Sequence, residues 1–402
     1  MLLLEWIKRR SAEIAGANAR IEQSRADFGQ SRLFPNPVAD FSLGGVNVAQ
    51  SNPRGLGFKD TANYGVGVAE LLEIGKRGPR IESARLRERA SREDYLTVLG
   101  QKMASARLAL ARAIYLKSKQ TTLDENLESA KKVIDLERSR LEHGDISKND
   151  FDRLLLDTTT LELEVARTRT EFEISLTDAR AVLFAPVDVD GAKLDDLDAA
   201  LLLPSGLKDA EEVLEHRADV LSLRITEQSA RQDEVLARRM IIPDLNFHVG
   251  YLHDYLTVAG NQEHTIAFGV ALSIPLFDRG QHGAAKAAGR AMEIESAARA
   301  TIAEAQADLA ELKRRRTFLE SALDRLQKED LPRSTEVLDA TLKAFNRGQV
   351  SLTDLILARR THLSLVVSVM DLRFDNFNVK NDLRRVLGLD AELDRHENES
   401  ER

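Results

Sequence analysis

The chain has 402 residues, a formal net charge of −8 and no cysteine. No basic block stands out, which argues against nucleic acid as a partner, and without cysteine there is no disulfide, no thiol chemistry and no cysteine-based metal site. Charged residues make up 30% and aromatics only 5%, a balance that suits long exposed helices better than one thick core.

Met1 to Arg10 is a poor signal peptide, because Glu5 follows the leucines at once and the basic residues come last. A helix is expected from about Ala12 to Leu33, ending before Pro35 and Pro37. Pro37 to Val48 then alternates, with Ala39, Phe41 and Leu43 on one face and Asp40, Ser42 and Gly44 on the other. The stretch Gln50 to Lys59, with Asn52, Pro53, Gly55 and Gly57, is a loop. Asn63 to Leu72 alternates again, Tyr64, Val66 and Val68 against Gly65, Gly67 and Ala69. Lys76 to Glu142 follows as one helix of about 66 residues, roughly 100 Å long, with Pro79 near its start, where proline is tolerated. Leu123, Leu127, Ala130, Ile134 and Leu141 form a coiled-coil type seam on it. Leu161, Val165, Thr168, Phe172, Leu176 and Ala179 do the same on a returning helix, Asp150 to Leu183.

The turn between those helices reads Leu141-Glu-His-Gly-Asp-Ile-Ser-Lys-Asn-Asp150. Gly144 can take the left-handed position that ends one helix, and Ser147 or Asp150 can cap the next. The pattern recurs 204 positions later, where Gly348, Val350, Ser351 and Asp354 match Gly144, Ile146, Ser147 and Asp150. The duplication extends outward. Pro37, Phe41 and Gly44 match Pro243, Phe247 and Gly250 at an offset of 206, and Tyr64-Gly65-Val66 matches Phe268-Gly269-Val270 at 204. The chain is therefore two tandem repeats of helix, strand, strand, long helix, turn and helix.

The expected division is a first repeat over 1–185, with a strand hairpin at about 37–72 and a tip at 143–150. A linker follows over 186–212, then a second repeat over 213–390, with strands at about 244–274 and a tip at 347–354, and a disordered tail over 391–402. The second long helix, Gln281 to Asn346, contains Pro332, which should kink it. No run of about 18 apolar residues exists, so no helix should cross a membrane. The strands, about ten residues each, fit either a transmembrane barrel or an ordinary half-buried hairpin.

No phosphate-binding glycine loop, nucleophile elbow or paired metal-ligand motif is present, so no enzyme, cofactor or metal is expected. His248, His253 and His264 lie on or beside the strands without the spacing of a ligand set.

These features together resemble the TolC-like outer membrane efflux protein family over nearly the whole chain. The carriers are the duplicated unit, the two tips and the two strand-to-helix junctions. The first junction, Gly75-Lys76-Arg77, resembles the form seen in the heavy-metal (cobalt-zinc-cadmium type) efflux subgroup. The second, Pro275-Leu276-Phe277-Asp278-Arg279-Gly280, resembles the family's Pro-Leu-Phe-Asp-x-Gly. The resemblance implies a mainly α protein with a small membrane β-barrel portion: a homotrimer with a 12-stranded barrel in outer membrane lipid and a long periplasmic α-helical barrel. It implies a passive exit duct for metal cations or small toxic compounds, fed by a periplasmic adaptor and an inner-membrane pump of RND type. On this reading an export signal is missing from the given chain. The alternatives are a duct for type I protein secretion, which shares the architecture, and a soluble coiled-coil scaffold. Asp150 and Asp354 resemble the family's carboxylates at the periplasmic constriction, a role compatible with helix capping. Some members lock the closed tip with a Tyr and an Arg; the matching positions here are Phe345 and Val350, so that lock is not carried over.

Overall fold

The computed structural model describes residues 2–50, 54–194, 201, 210–255 and 262–391. The expected element order is present. Helices α1 (Leu2–Arg10) and α2 (Ala12–Ser31) lead to β1 (Val38–Gly44), the single turn α3 (Phe58–Thr61) and β2 (Asn63–Leu72). Then come α4 (Arg77–Glu142), α5 (Lys148–Leu183), α6 (Ala210–Glu215), α7 (Ala218–Arg238), β3 (Leu245–Asp254) and β4 (His264–Leu272). Last are α8 (Gln281–Arg325), α9 (Leu331–Asn346) and α10 (Leu352–Val386). By compactness the chain divides into two units, and each takes segments from both sequence repeats.

One unit, residues 19–92 and 221–299, holds the strands. They form one antiparallel sheet in the order β1-β2-β3-β4. Phe41 stands opposite Val66, and their repeat equivalents Phe247 and Val270 stand opposite each other, so both hairpins share one register. Side chains alternate across a strand, so the register sorts the sheet into two faces. One carries rows such as Phe41-Val66-Tyr251-Ile266 and Ala39-Val68-Val249-Phe268. The other carries Asp40-Gly67-Gly250-Ala267 and Ser42-Gly65-Leu252-Thr265. On that second face His248 and Asp40 bond at 3.1 Å across two strands, and Gly67 beneath them leaves the room. Phe41, Ile266, Phe268 and Val270 on the first face are all exposed.

The other unit, residues 1–18, 93–220 and 300–402, is helical. Its core is a set of helix-packing clusters. Leu4, Ile7 and Ile14 pack on Leu99, Met103, Ala106 and Leu183, and the Trp6 indole N–H donates to the Leu183 carbonyl at 3.0 Å. Leu2–Arg10 thus forms a docked amphipathic helix, which its sequence had not suggested. Of the expected linker 186–212, residues 195–200 and 202–209 lie outside the described residues; Val189, Leu194 and Leu201 pack on Ala113, Ala111 and Phe377. Asp390 is buried and accepts from the Arg107 and Arg384 guanidinium groups, with Asn381 accepting from Arg107 at 2.9 Å. Ala391, where the tail was expected to begin, is still helical and buried, and 392–402 lie outside the described residues.

Where a kink was expected, at Pro332, the helix changes its hydrogen bonding. Proline has no N–H to donate and its ring clashes with the carbonyl four residues back. The chain answers with a five-residue π turn, Leu326–Asp330, between α8 and α9.

Candidate functional site at the helical hairpin tips

Each tip is built from short-range hydrogen bonds. Gly144 has φ +80° and Gly348 φ +73°, both in the left-handed region. At the first tip the Gly144 N–H reaches the Leu141 carbonyl at 3.0 Å, and the Asp145 N–H the Arg140 carbonyl at 2.8 Å. At the second, Gly348 bonds Phe345 and Gln349 bonds Ala344, each at 2.9 Å. This is the Schellman closure of a helix, made twice.

The next helix then starts on serine, not aspartate. The Ser147 hydroxyl accepts from the Asp150 N–H at 3.1 Å, and Ser351 accepts from Asp354 at 3.2 Å. Asp150 and Asp354 are the third residues of their helices and reach back. The Ser147 hydroxyl donates to Asp150 at 2.7 Å. Asp354 accepts from both the Ser351 hydroxyl at 2.6 Å and the Ser351 N–H at 3.0 Å, a complete capping box. Those donors hold the Asp354 carboxyl below its ordinary pKa. The carboxylates therefore sit in separate turns with separate partners; Asp150 also has Arg153 at 3.9 Å.

What joins the tips is apolar. Ile134, Phe151, Leu154, Phe345, Leu352 and Leu355 form one buried cluster, with Ile146 and Val350 packed against it. Phe345 is a core residue with the Arg140 guanidinium 5.5 Å over its ring. Arg140 also pairs with Glu137 at 3.1 Å, and Glu137 is fully buried. Sequence reasoning missed this pair. Its i, i+3 spacing is that of any solvated pair on a helix surface.

The strand-to-helix junctions are likewise structural. Gly75 has φ +72° and its carbonyl accepts from Arg239 at 2.5 Å. The Lys76 ammonium, nearly buried, donates to Asp244 at 2.6 Å, and the Ile74 N–H meets the same carboxylate at 3.2 Å. Arg77 donates to the Arg32 carbonyl at 2.7 Å and lies 4.1 Å over the Phe34 ring. At the second junction a tight bond from the Leu276 N–H to the Ile274 carbonyl encloses Pro275. Gly280, at φ +77°, passes so near the Ala237 carbonyl that a Cβ would stand 2.0 Å from its oxygen.

Residues 210–389 match the family model described as outer membrane efflux protein. That stretch takes in the second repeat, from the helix before its strands to the helix after its tip. The fold of the chain is similar to that of CusC, at 16% identity over 96% of this chain and 91% of that one, with a TM-score of 0.78. It is similar also to VceC of Vibrio cholerae, at 19% identity over 96% and 95% with a TM-score of 0.78. The open state of MtrE of Neisseria gonorrhoeae gives 19% identity over 96% and 88%, again with a TM-score of 0.78. No curated protein matches the sequence. In this fold the tips and junctions are two of the places where the chain reverses or changes element type. The sequence motifs sit at both.

Proposed function

We propose that this chain is a TolC-like outer membrane efflux protein, the passive exit duct of a tripartite system. Three copies close a 12-stranded barrel, and the hairpin tips meet a periplasmic adaptor and an inner-membrane pump of RND type that supplies the energy. The observation that carries the reading is the open-edged sheet with one exposed face apolar across all four strands. Such a face suits lipid, and lipid tolerates no unpaired edge. The cargo we assign is metal cations or small toxic compounds, on the likeness of Gly75-Lys76-Arg77 to the heavy-metal subgroup.

The tips supply the selectivity. Asp150 and Asp354 of three chains would ring the narrow end with carboxylates, and acidic rings favour cations in pores. The duct opens when the hairpins part, which breaks the apolar cluster around Phe151 and Phe345. In planar bilayers the protein is expected to show a small, cation-preferring conductance. Replacing both aspartates by alanine should move the reversal potential in a salt gradient toward zero and raise the conductance. An unchanged reversal potential refutes the ring, and an absence of any conductance refutes the duct.

A further inference from the structure

The end of the sheet nearest the β3–β4 connection carries a second cluster. The register makes His253 and His264 direct cross-strand partners. Their Nδ1 atoms lie 3.2 Å apart. The Tyr251 hydroxyl is 2.7 Å from His264 Nδ1, and a Glu263 carboxylate oxygen is 3.7 Å from His253 Nε2. One ligand atom from each of His253, Glu263 and His264 falls within 4.8 Å of the others. His253 is 6% exposed, with the Tyr64 ring 4.9 Å and the Tyr255 ring 4.5 Å from its own, so its imidazole is held in place.

A neutral imidazole has one lone pair, in the plane of its ring. Two such nitrogens at this separation, one of them also facing a tyrosine hydroxyl, need a shared proton or a shared cation. Two nitrogens bound to one tetrahedral ion at about 2.0–2.1 Å stand about 3.3 Å apart, close to the separation found. We propose that His253, His264 and Glu263 form a binding site for a divalent transition metal of the zinc class. Two imidazoles and one carboxylate suit that class, and not magnesium or calcium, which take mainly oxygen ligands. The site lies on the apolar face, opposite the face of Asp40 and His248, so it is a clip between β3 and β4 and not a station for cargo. Sequence spacing does not reveal it: 253, 263 and 264 match no helical or hairpin ligand motif, and the strand register brings the two histidines together.

The test is calorimetry on tag-free protein in detergent, stripped with chelator and titrated with zinc chloride, then with magnesium chloride in competition. We expect one zinc site per chain that magnesium does not displace. His264→Gln and Glu263→Gln change exposed side chains and should each weaken zinc by at least about tenfold with the circular dichroism unchanged. His282→Gln, on α8, should leave binding intact. Equal zinc binding in the wild type and in a His264→Gln/Glu263→Gln double variant would overturn the proposal. So would a zinc site abolished by His282→Gln alone. Neither readout depends on conductance, so the site and the duct stand or fall separately.

Discussion

A carboxylate that accepts two hydrogen bonds from its own cap is harder to protonate than one in water, and Asp354 is in that position. Its folded pKa lies below the unfolded value. The stability it contributes is therefore fully present above the unfolded pKa, about 3.8, and is lost as pH falls through the folded one. Hydrogen exchange of the Ser351 and Asp354 amides, corrected for intrinsic rates, should show protection falling as pH drops below about 4. In Asp354→Asn, whose amide oxygen accepts at any pH, that dependence should vanish. Identical pH profiles would mean that the box does not hold the tip. The glycines and the serine–aspartate pairs were legible because their bonds close within six residues along the chain. The partner of Lys76 was not: Asp244 lies 168 positions away and only the fold brings it near. The same holds for Glu137, whose burial comes from its surroundings, since nothing about Glu137 and Arg140 marks them in the sequence.

Among elements, the strands were legible to within a residue or two at most ends, because alternation of apolar and small polar residues has one physical reading at this length. Lipid-facing and half-buried strands share that alternation, and exposure separates them: Phe268 keeps 80% of its surface free and Val270 63%. The apolar face also has edges. It runs from Tyr64, His253 and His264 at one end to Glu70 beside Phe247 at the other, roughly 20 Å along β2 at the rise of a strand. That approaches the height of the lipid-facing band of an outer membrane barrel. Phe268, midway along β4, should therefore sit near the bilayer midplane. Phe268→Arg is expected to cost about 2–4 kcal/mol of barrel stability, measured by denaturant-induced unfolding in lipid. Gly269→Arg, on the face of His248, should spare that stability and alter conductance instead. A Phe268→Arg barrel as stable as the wild type would remove this face from the membrane. Helix α1 was the longest of the elements sequence reasoning missed. At nine residues it is too short to show a period of its own, and its packing on Leu99 and Met103 decides it.

At the scale of the molecule, the decisive fact is what the single chain leaves unfinished. In the sheet order β1-β2-β3-β4, β1 and β4 are edges, and each has an unpaired row of backbone donors and acceptors. In hydrocarbon each unsatisfied group costs several kcal/mol, so on the proposed duct reading the edges meet other chains. Two chains would give eight strands, but a barrel of about eight is filled by its own side chains or holds one small ligand. Three chains give twelve strands, the smallest closed ring of this sheet that leaves a passage. Light scattering in detergent should therefore return about three times the chain mass of 44.8 kDa. The sequence offers a sharper test, because it has no cysteine. Single cysteines placed along β1, each combined with one along β4, should form disulfides only between chains. At the matching register, denaturing gels should show covalent ladders that stop at three. A ladder that stops at two, or a monodisperse monomer with its full strand content, would rule out the twelve-stranded barrel and the duct that depends on it.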